Sequence, residues 1–188
     1  MLPDFLQNAP AIALARDLIG TVLASDIGGE RVSGIIVETE AYLGILDPAS
    51  HAWRGTRRKG QQGIWAAAGT WYVYRSYGLH WCLNLTAGPA GQGAAVLIRA
   101  VEPLEGIAVM RRRRDGVADR RLVDGPGKLT AALAISGAQD GLRPKEGAAL
   151  RLDGPAANVD ARRTIVVTPR IGISRAADWP LRYVLCRA

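Results

Sequence analysis

The sequence predicts an α+β fold in one domain spanning residues 1–188. Three observations lead there. The chain has 188 residues and 48% hydrophobic content, enough for one sizeable core of Val, Leu, Ile and Ala with a few Trp and Tyr. Short apolar stretches with alternating parity, bounded by Gly and Pro, read as strands. Helix-like segments fall among them without the regular strand–helix alternation that a parallel sheet requires.

In chain order, Asn8 is placed to cap a short helix with Pro10 in its first turn, Ala11 to Ile19 as its body and Gly20 at its end. Thr21 to Ala24 and Val32 to Tyr42 read as strands turned by Gly28-Gly29. Leu43 to Ala68 is a long irregular loop rich in Gly, Arg and Gln, a length usually tied to function or mobility. Thr70 to Thr86 alternates: Trp71, Val73, Leu79, Trp81, Leu83 and Leu85 share the core parity, and Tyr72, Tyr74, His80, Cys82 and Asn84 take the other. Ser76-Tyr77-Gly78 interrupts this run, which makes it a hairpin with Tyr77 at its tip. Ala94 to Val101 is a further strand. Pro103 to Arg113 fits a helix with Pro in its first turn, Glu102 and Glu105 near its N-terminus and the run Arg111 to Arg114 as a solvated C-terminal end. Lys128 to Ile135 is a helix opened by Gly125-Pro126-Gly127. Ala148 to Leu152, Thr164 to Ser174 and Leu181 to Cys186 complete the strands.

Composition narrows the function classes. No apolar stretch approaches the roughly 20 residues of a membrane span, and the first residues lack the pattern of a signal peptide, so a soluble intracellular protein is expected. Cys82 and Cys186 lie far apart in apolar sequence and read as buried thiols; two cysteines do not make a structural zinc site. The formal charge is +7, and every cation except Lys59, Lys128 and Lys145 is arginine. Arginine binds phosphate bidentately and stacks on bases, which fits a nucleic-acid partner, although an Ala- and Arg-rich composition also arises from genome base composition.

The chemistry concentrates in Val37-Glu38-Thr39-Glu40-Ala41-Tyr42, with His51 nine residues on. A strand here presents Glu38, Glu40 and Tyr42 on one face. Two carboxylates and a tyrosine together are either a solvated strand face or a polar pocket holding a general base. Arg99, which closes an apolar strand, either marks its exit to solvent or sits beside Glu40 and keeps it ionised. Tyr42, Tyr72 and Tyr74 fall off the core parity, where flat rings suit stacking on a base; high β propensity is the ordinary alternative. Tyr77 either projects as a wedge between base pairs or folds back on Trp81. His80 reads as a surface residue, whereas His51 has the position to line a pocket. Nothing has the spacing of a zinc protease helix, a phosphate-binding loop, a dinucleotide fingerprint or a serine nucleophile elbow.

These residues stand in longer blocks. Leu14-Ala15-Arg16-Asp17-Leu18-Ile19-Gly20, Val37 through Gly44, Asp47-Pro48-Ala49-Ser50-His51, Tyr72 through Gly78, Cys82-Leu83-Asn84, Val96 through Gly106, Gly125 through Thr130 and Pro169-Arg170-Ile171-Gly172-Ile173 occur in order over almost the whole chain. In them the sequence resembles the alkyladenine (3-methyladenine) DNA glycosylase family. The resemblance implies one domain with a curved antiparallel β-sheet and flanking helices. It implies a monofunctional, monomeric enzyme that flips a damaged purine out of double-stranded DNA and hydrolyses its N-glycosidic bond, with no metal and no organic cofactor. Glu40 matches the general base and Arg99 the arginine beside the attacking water. Tyr42 and His51 match one wall of the base pocket and Tyr72 and Tyr74 the other. Asn84 matches the residue that excludes the 2-amino group of guanine, and Tyr77 the side chain that fills the gap left by the flipped base. In a bacterium such an enzyme is cytoplasmic and nucleoid-associated. The 57–69 loop departs from the family pattern: Arg58 to Trp65 replaces a Pro-Arg-Asn element and a Met-Phe pair, and Ala66-Ala67-Ala68 stands where Pro is common. A non-catalytic lesion-binding module is the competing reading. The joint presence of Glu40 and Arg99 argues against it, and a tip aromatic argues against an enzyme of free nucleosides.

Overall fold

The computed structural model describes residues 9–157 and 162–186. Among these, eight antiparallel strands form one sheet: β1 (Thr21–Ser25), β2 (Val32–Tyr42), β3 (Trp71–Ser76), β4 (His80–Ala87), β5 (Ala94–Glu105), β6 (Leu150–Pro155), β7 (Thr164–Thr168) and β8 (Arg182–Cys186). Three short helices accompany it: α1 (Pro10–Asp17), α2 (Ile107–Arg113) and α3 (Pro126–Ala132). The strand order is β3-β4-β5-β2-β1-β6, with β8 joined to β2 and β7 to β8. The α+β class and antiparallel sheet expected from the sequence are present.

β2 is the axis of the molecule. β5 lies along one side of it. On the other side, Val32–Ile35 pair with β1 and Glu38–Glu40 pair with β8. A strand of 11 residues thus serves two neighbours in succession, and bulges accompany the handover. Ile36 is opposite Val101 and Glu38 opposite Ala100, which leaves Val37 as an extra residue on β2. Thr39 is opposite Ile98, which leaves Arg99 as an extra residue on β5. Bulges increase local twist and re-aim side chains.

The main core fills the helix side of the sheet. It holds the predicted parity of the hairpin, Trp71, Val73, Leu83 and Leu85, together with Ile36, Ile98, Met110, Leu129 and Leu133. Trp71 is fully buried and donates its indole N–H to Leu150 O at 3.3 Å. Truncation of such a residue costs about 3–5 kcal/mol. A smaller cluster on the opposite face, Ala52, Ile64, Tyr72 and Ala95, lies under the 43–69 segment. That segment is a chain of short 3-10 turns at 44–46, 53–55 and 62–65. Gly63 packs it against Asp140, since a Cβ there would sit 2.2 Å from Asp140 Oδ1, the oxygen that accepts from Val73 N of β3 at 2.9 Å.

Several expectations are corrected. The helix expected from Pro103 begins only at Ile107; Pro103 continues β5, opposite Gly34. β4 covers β5 only along Ala94–Leu97, so at Pro103 the strand has one neighbour, the situation in which a missing N–H is tolerated. Gly106, at φ 71°, makes the turn into α2. Leu79 is 71% exposed because it belongs to the hairpin turn, not to a strand face. The strand expected over Thr164 to Ser174 stops at Thr168, before Pro169. Arg111 to Arg113 are not simply solvated: Arg111 pairs with Asp119, Arg112 with Glu30, and Arg113 donates to Ala132 O and Ile27 O. The N-cap of α1 is Ala9, without a side-chain bond, and Asn8 lies outside the described residues.

Candidate active site

Alternate residues of four neighbouring strands converge on the face away from the helices. Tyr72 and Tyr74 come from β3, Cys82 and Asn84 from β4, Ala95, Leu97 and Arg99 from β5, and Tyr42 from β2. They floor a cavity of about 500 Å³, walled by His51 and Gln61 of the 43–69 segment and by Ile171–Ile173. The volume is that of a small-molecule site. It forms here because the period-two parity of each strand reserves one face for the core and leaves the other for this concavity.

Glu40 lies just beneath this surface. It is fully buried, which removes the reading of a solvated strand face. Its carboxylate is held from three directions. Ile171 N–H donates to Oε1 at 2.8 Å, the Tyr42 hydroxyl donates to Oε2 at 2.9 Å, and Arg99 Nη1 stands 3.3 Å from Oε2. Tyr42, Arg99 and Ile171 line the cavity, and Glu40 stands behind them. Arg99 does not exit to solvent: its Nε donates to Glu38 Oε1 at 2.8 Å. Burial alone disfavours its charge, but Glu40 and Glu38 more than offset this and hold its pKa above the ordinary value.

The aromatic walls have defined geometry. The Tyr72 and Tyr74 rings stack at 5.3 Å and 24°, and the His51 ring stands edge-on to Tyr74 at 4.5 Å and 78°. His51 Nδ1 is hydrogen-bonded to the Tyr72 hydroxyl at 2.8 Å. Burial, reinforced by the Arg58 charge, lowers the His51 pKa, favouring the neutral ring. Burial also pushes Tyr42, Tyr72 and Tyr74 well above the usual phenol range, with the negative charge of Glu40 adding to the effect at Tyr42. All three phenols therefore remain protonated at neutral pH. Asn84 donates Nδ2 to Tyr72 O at 3.0 Å and Cys82 O at 3.4 Å, which fixes its carboxamide in the cavity floor.

Tyr77 is separate from this cluster in kind. It is 94% exposed at the tip of the β3–β4 hairpin and does not pack on Trp81. Leu79 N–H bonds Ser76 O at 3.0 Å, and the two intervening residues are left-handed, Tyr77 at φ 50° and Gly78 at φ 69°. This is a type I′ turn, suited to the twist of a hairpin. A bulky tyrosine in left-handed backbone, presented to solvent, is held there by the turn and not by burial.

Residues not singled out for a role by the sequence complete the site. Arg170 and Asp47 are both fully buried side chains joined by two bonds, Nη1–Oδ2 at 2.5 Å and Nη2–Oδ1 at 3.0 Å. Arg170 also donates to Ala41 O at 3.0 Å and lies over the Tyr42 ring, 4.6 Å from its centroid. Asp47 accepts from Leu43 N and Ala49 N, both at 3.0 Å. The pair thus ties the end of β2 and the start of the loop to the segment that supplies Ile171. Its members are 123 residues apart, and the sequence signal for them is that each lies in one of the blocks that carry the family resemblance, Asp47 through His51 and Pro169 through Ile173. Lys128, on α3, is paired with Asp124 at 2.7 Å. Among the described residues, no group of three or more His, Cys, Asp or Glu is placed to hold a metal ion, and no helix is long and apolar enough to cross a membrane.

The chain matches the model of methylpurine-DNA glycosylase over residues 4–187. It is 42% identical over 187 residues to a Burkholderia orbicola protein, covering 97% of this chain and 86% of that one. It is 44% identical over 188 residues to a Nitrosospira multiformis protein, with coverage of 97% and 89%. It is 42% identical over 187 residues to a Methanoculleus marisnigri protein, with coverage of 98% and 94%. Each of the three carries the name "Putative 3-methyladenine DNA glycosylase".

Proposed function

Because the chain belongs to the methylpurine-DNA glycosylase family, we propose that it flips alkylated or deaminated purines, such as 3-methyladenine and hypoxanthine, out of double-stranded DNA and releases them by hydrolysis. The observation that carries this reading is Glu40, a fully buried carboxylate behind an aromatic cavity, gripped by Tyr42, Arg99 and the Ile171 N–H.

Glu40 is the general base. It takes a proton from water, the oxygen forms a bond to C1′, and the N-glycosidic bond breaks with its electron pair passing to the purine. A cationic alkylpurine departs neutral; a neutral purine takes up one proton. The sugar becomes positively charged on the way, and the Glu40 carboxylate stabilises that charge. Because Glu40 stands behind Tyr42 and Arg99, the water meets it at the edge of these two side chains, and the contacts tighten only when the nucleotide is seated.

The walls select the base. The faces of Tyr72 and Tyr74 attract a cationic base, an interaction worth about 0.5–2 kcal/mol. A neutral His51 adds no positive charge against it. Asn84, fixed by its two carbonyl bonds, stands against the 2-amino group of normal guanine. Tyr77, exposed at the hairpin tip, fills the gap left in the duplex and offsets part of the few kcal/mol that flipping costs. Arg54, Arg57, Arg58 and Lys59, all exposed on the loop beside the cavity, provide a salt-dependent grip on phosphates. The named side chains all come from one chain, so a monomer suffices, acting wherever chromosomal DNA lies, which in a bacterium is the cytoplasm.

The test is single-turnover base release from a duplex with one hypoxanthine, comparing the wild type with Glu40→Gln, which keeps the shape and removes the base. Release by the wild type that vanishes in the variant, with duplex binding intact, is the expected result. Binding without release, repeated with 3-methyladenine and etheno-adenine duplexes, would instead establish a lesion-binding module.

A further inference from the structure

Glu38 is the second carboxylate of the β2 face, and the reaction as described gives it no part. Its surroundings are nonetheless specific. Oε1 of Glu38 accepts from Arg99 Nε at 2.8 Å and from Arg182 Nη1 at 2.9 Å. The three side chains are largely sheltered, with 17%, 14% and 21% exposure for Glu38, Arg99 and Arg182. Arg182 Nε also donates to Pro169 O at 3.2 Å, two residues before the Ile171 N–H that holds Glu40 Oε1. The contacts therefore close on themselves: Glu40 to Arg99, Arg99 to Glu38, Glu38 to Arg182, Arg182 to the 169–171 segment, and that segment back to Glu40. The register explains how. Glu40 is directly opposite Arg182 on β8, and the bulge at Arg99 turns its guanidinium to the same side.

Two carboxylates alternate with two guanidiniums, so the array is charge-balanced while Glu40 is a carboxylate. When Glu40 accepts the proton of water, Arg99 loses its partner on that side. The cost of a sheltered guanidinium without a counter-charge is large. We propose that Glu38 is a positioning residue for the hydrolysis: it aims Arg99 at Glu40 and supplies the carboxylate that balances Arg99 once Glu40 is protonated, with Arg182 bracing Glu38 from the far side. The inference rests on the glycosylase reading above.

Removing the Glu38 charge leaves Arg99 with Glu40 as its one carboxylate. Arg99 then has no second carboxylate to turn to when the proton of water is transferred, and the hydrolysis is slowed. The groups facing Glu40 are Tyr42 on its own strand, Arg99 on β5, Arg182 across on β8 and the Ile171 N–H, with Tyr74 contributing from β3. Glu38→Gln, which keeps the shape and one acceptor, takes the charge partner of Arg182 as well as that of Arg99 and leaves Tyr42, Tyr74 and the Ile171 N–H untouched.

The experiment measures single-turnover release from a hypoxanthine duplex, the dissociation constant for the same duplex and the melting temperature, for the wild type, Glu38→Gln, Glu38→Asp and Arg182→Gln. The expected result for Glu38→Gln is a rate reduced at least tenfold at pH 7, with a dissociation constant within twofold of the wild type. Glu38→Asp should recover part of the rate and Arg182→Gln should lose less than Glu38→Gln. A Glu38→Gln rate within twofold of the wild type overturns the inference. So does a loss that runs in parallel through rate, affinity and melting temperature, because that is a folding role. If the wild type releases no base at all, the glycosylase reading itself has failed; if it releases base and Glu40→Gln does not, while Glu38→Gln is unchanged, only the role of Glu38 is lost.

Discussion

Asp47→Ala is the sharpest structural perturbation the site permits. It deletes a carboxylate with no exposed surface that accepts four hydrogen bonds, two from Arg170 and one each from Leu43 N and Ala49 N. What remains is a buried guanidinium whose Nε already lacks a hydrogen-bond partner. Breaking a buried ion pair from one side costs about 3–5 kcal/mol, chiefly through the uncompensated charge. Against a typical total stability of about 5–15 kcal/mol this is a large fraction. For 188 residues the unfolding entropy near the midpoint is about 0.4 kcal/mol/K, so the melting temperature should fall by about 8–13 °C. Thermal unfolding followed by circular dichroism measures it. Activity should follow: Arg170 carries Ile171 and backs Tyr42, two of the groups that hold Glu40, so base release measured well below the new midpoint should drop at least tenfold. Asp47→Ala combined with Arg170→Met removes the orphaned charge and should cost less than the two single changes added together. A melting-temperature loss under about 3 °C with an unchanged release rate would refute the assignment of this pair as the brace of the catalytic segment.

Tyr77→Ala should leave the melting temperature within about 1 °C, because a side chain that is 94% exposed contributes little to packing. The same change should slow base release from a lesion opposite a normal partner by tenfold or more, and less from a lesion in a mismatch, where flipping is already easy; equal slowing on both duplexes counts against a wedge. His51, whose pKa is lowered in the fold by burial and then by Arg58, binds fewer protons folded than unfolded. Its contribution is therefore intact above the unfolded value of about 6.5 and is lost as pH falls below that toward the folded value. Melting curves between pH 7 and pH 5 should show a steeper loss for the wild type than for His51→Gln, and Arg58→Ala should reduce the acid sensitivity of the wild type. Parallel wild-type and His51→Gln curves would show that His51 is not the group that titrates.

Local chemistry made much of this protein readable in one dimension. Parity within 70–86 assigned Trp71, Val73, Leu83 and Leu85 to the core and Tyr72, Tyr74, Cys82 and Asn84 to the opposite face, because side-chain alternation is a property of the single strand. Val32–Tyr42 was bounded correctly, since Gly-Gly before it and the polar loop after it are local signals. The pattern of Glu38, Glu40 and Tyr42 on one side was likewise written in the spacing. What depended on neighbours was not. Pro103 suggests a helix start until it is known that β4 has already ended beside β5. Leu79 suits a core until the turn type assigns it to the tip. A bulge shifts register by one residue through pairing with another strand, so no spacing rule places Arg99 between Glu38 and Glu40. The Asp47–Arg170 pair and the return from Arg182 through Pro169 to Ile171 join residues far apart in the chain, and only the folded sheet brings them together. The sequence by itself determined which side chains are chemically equipped for the site; the tertiary structure decided which of them share a proton, a charge or a wall, because those relations are set by strand pairing and burial.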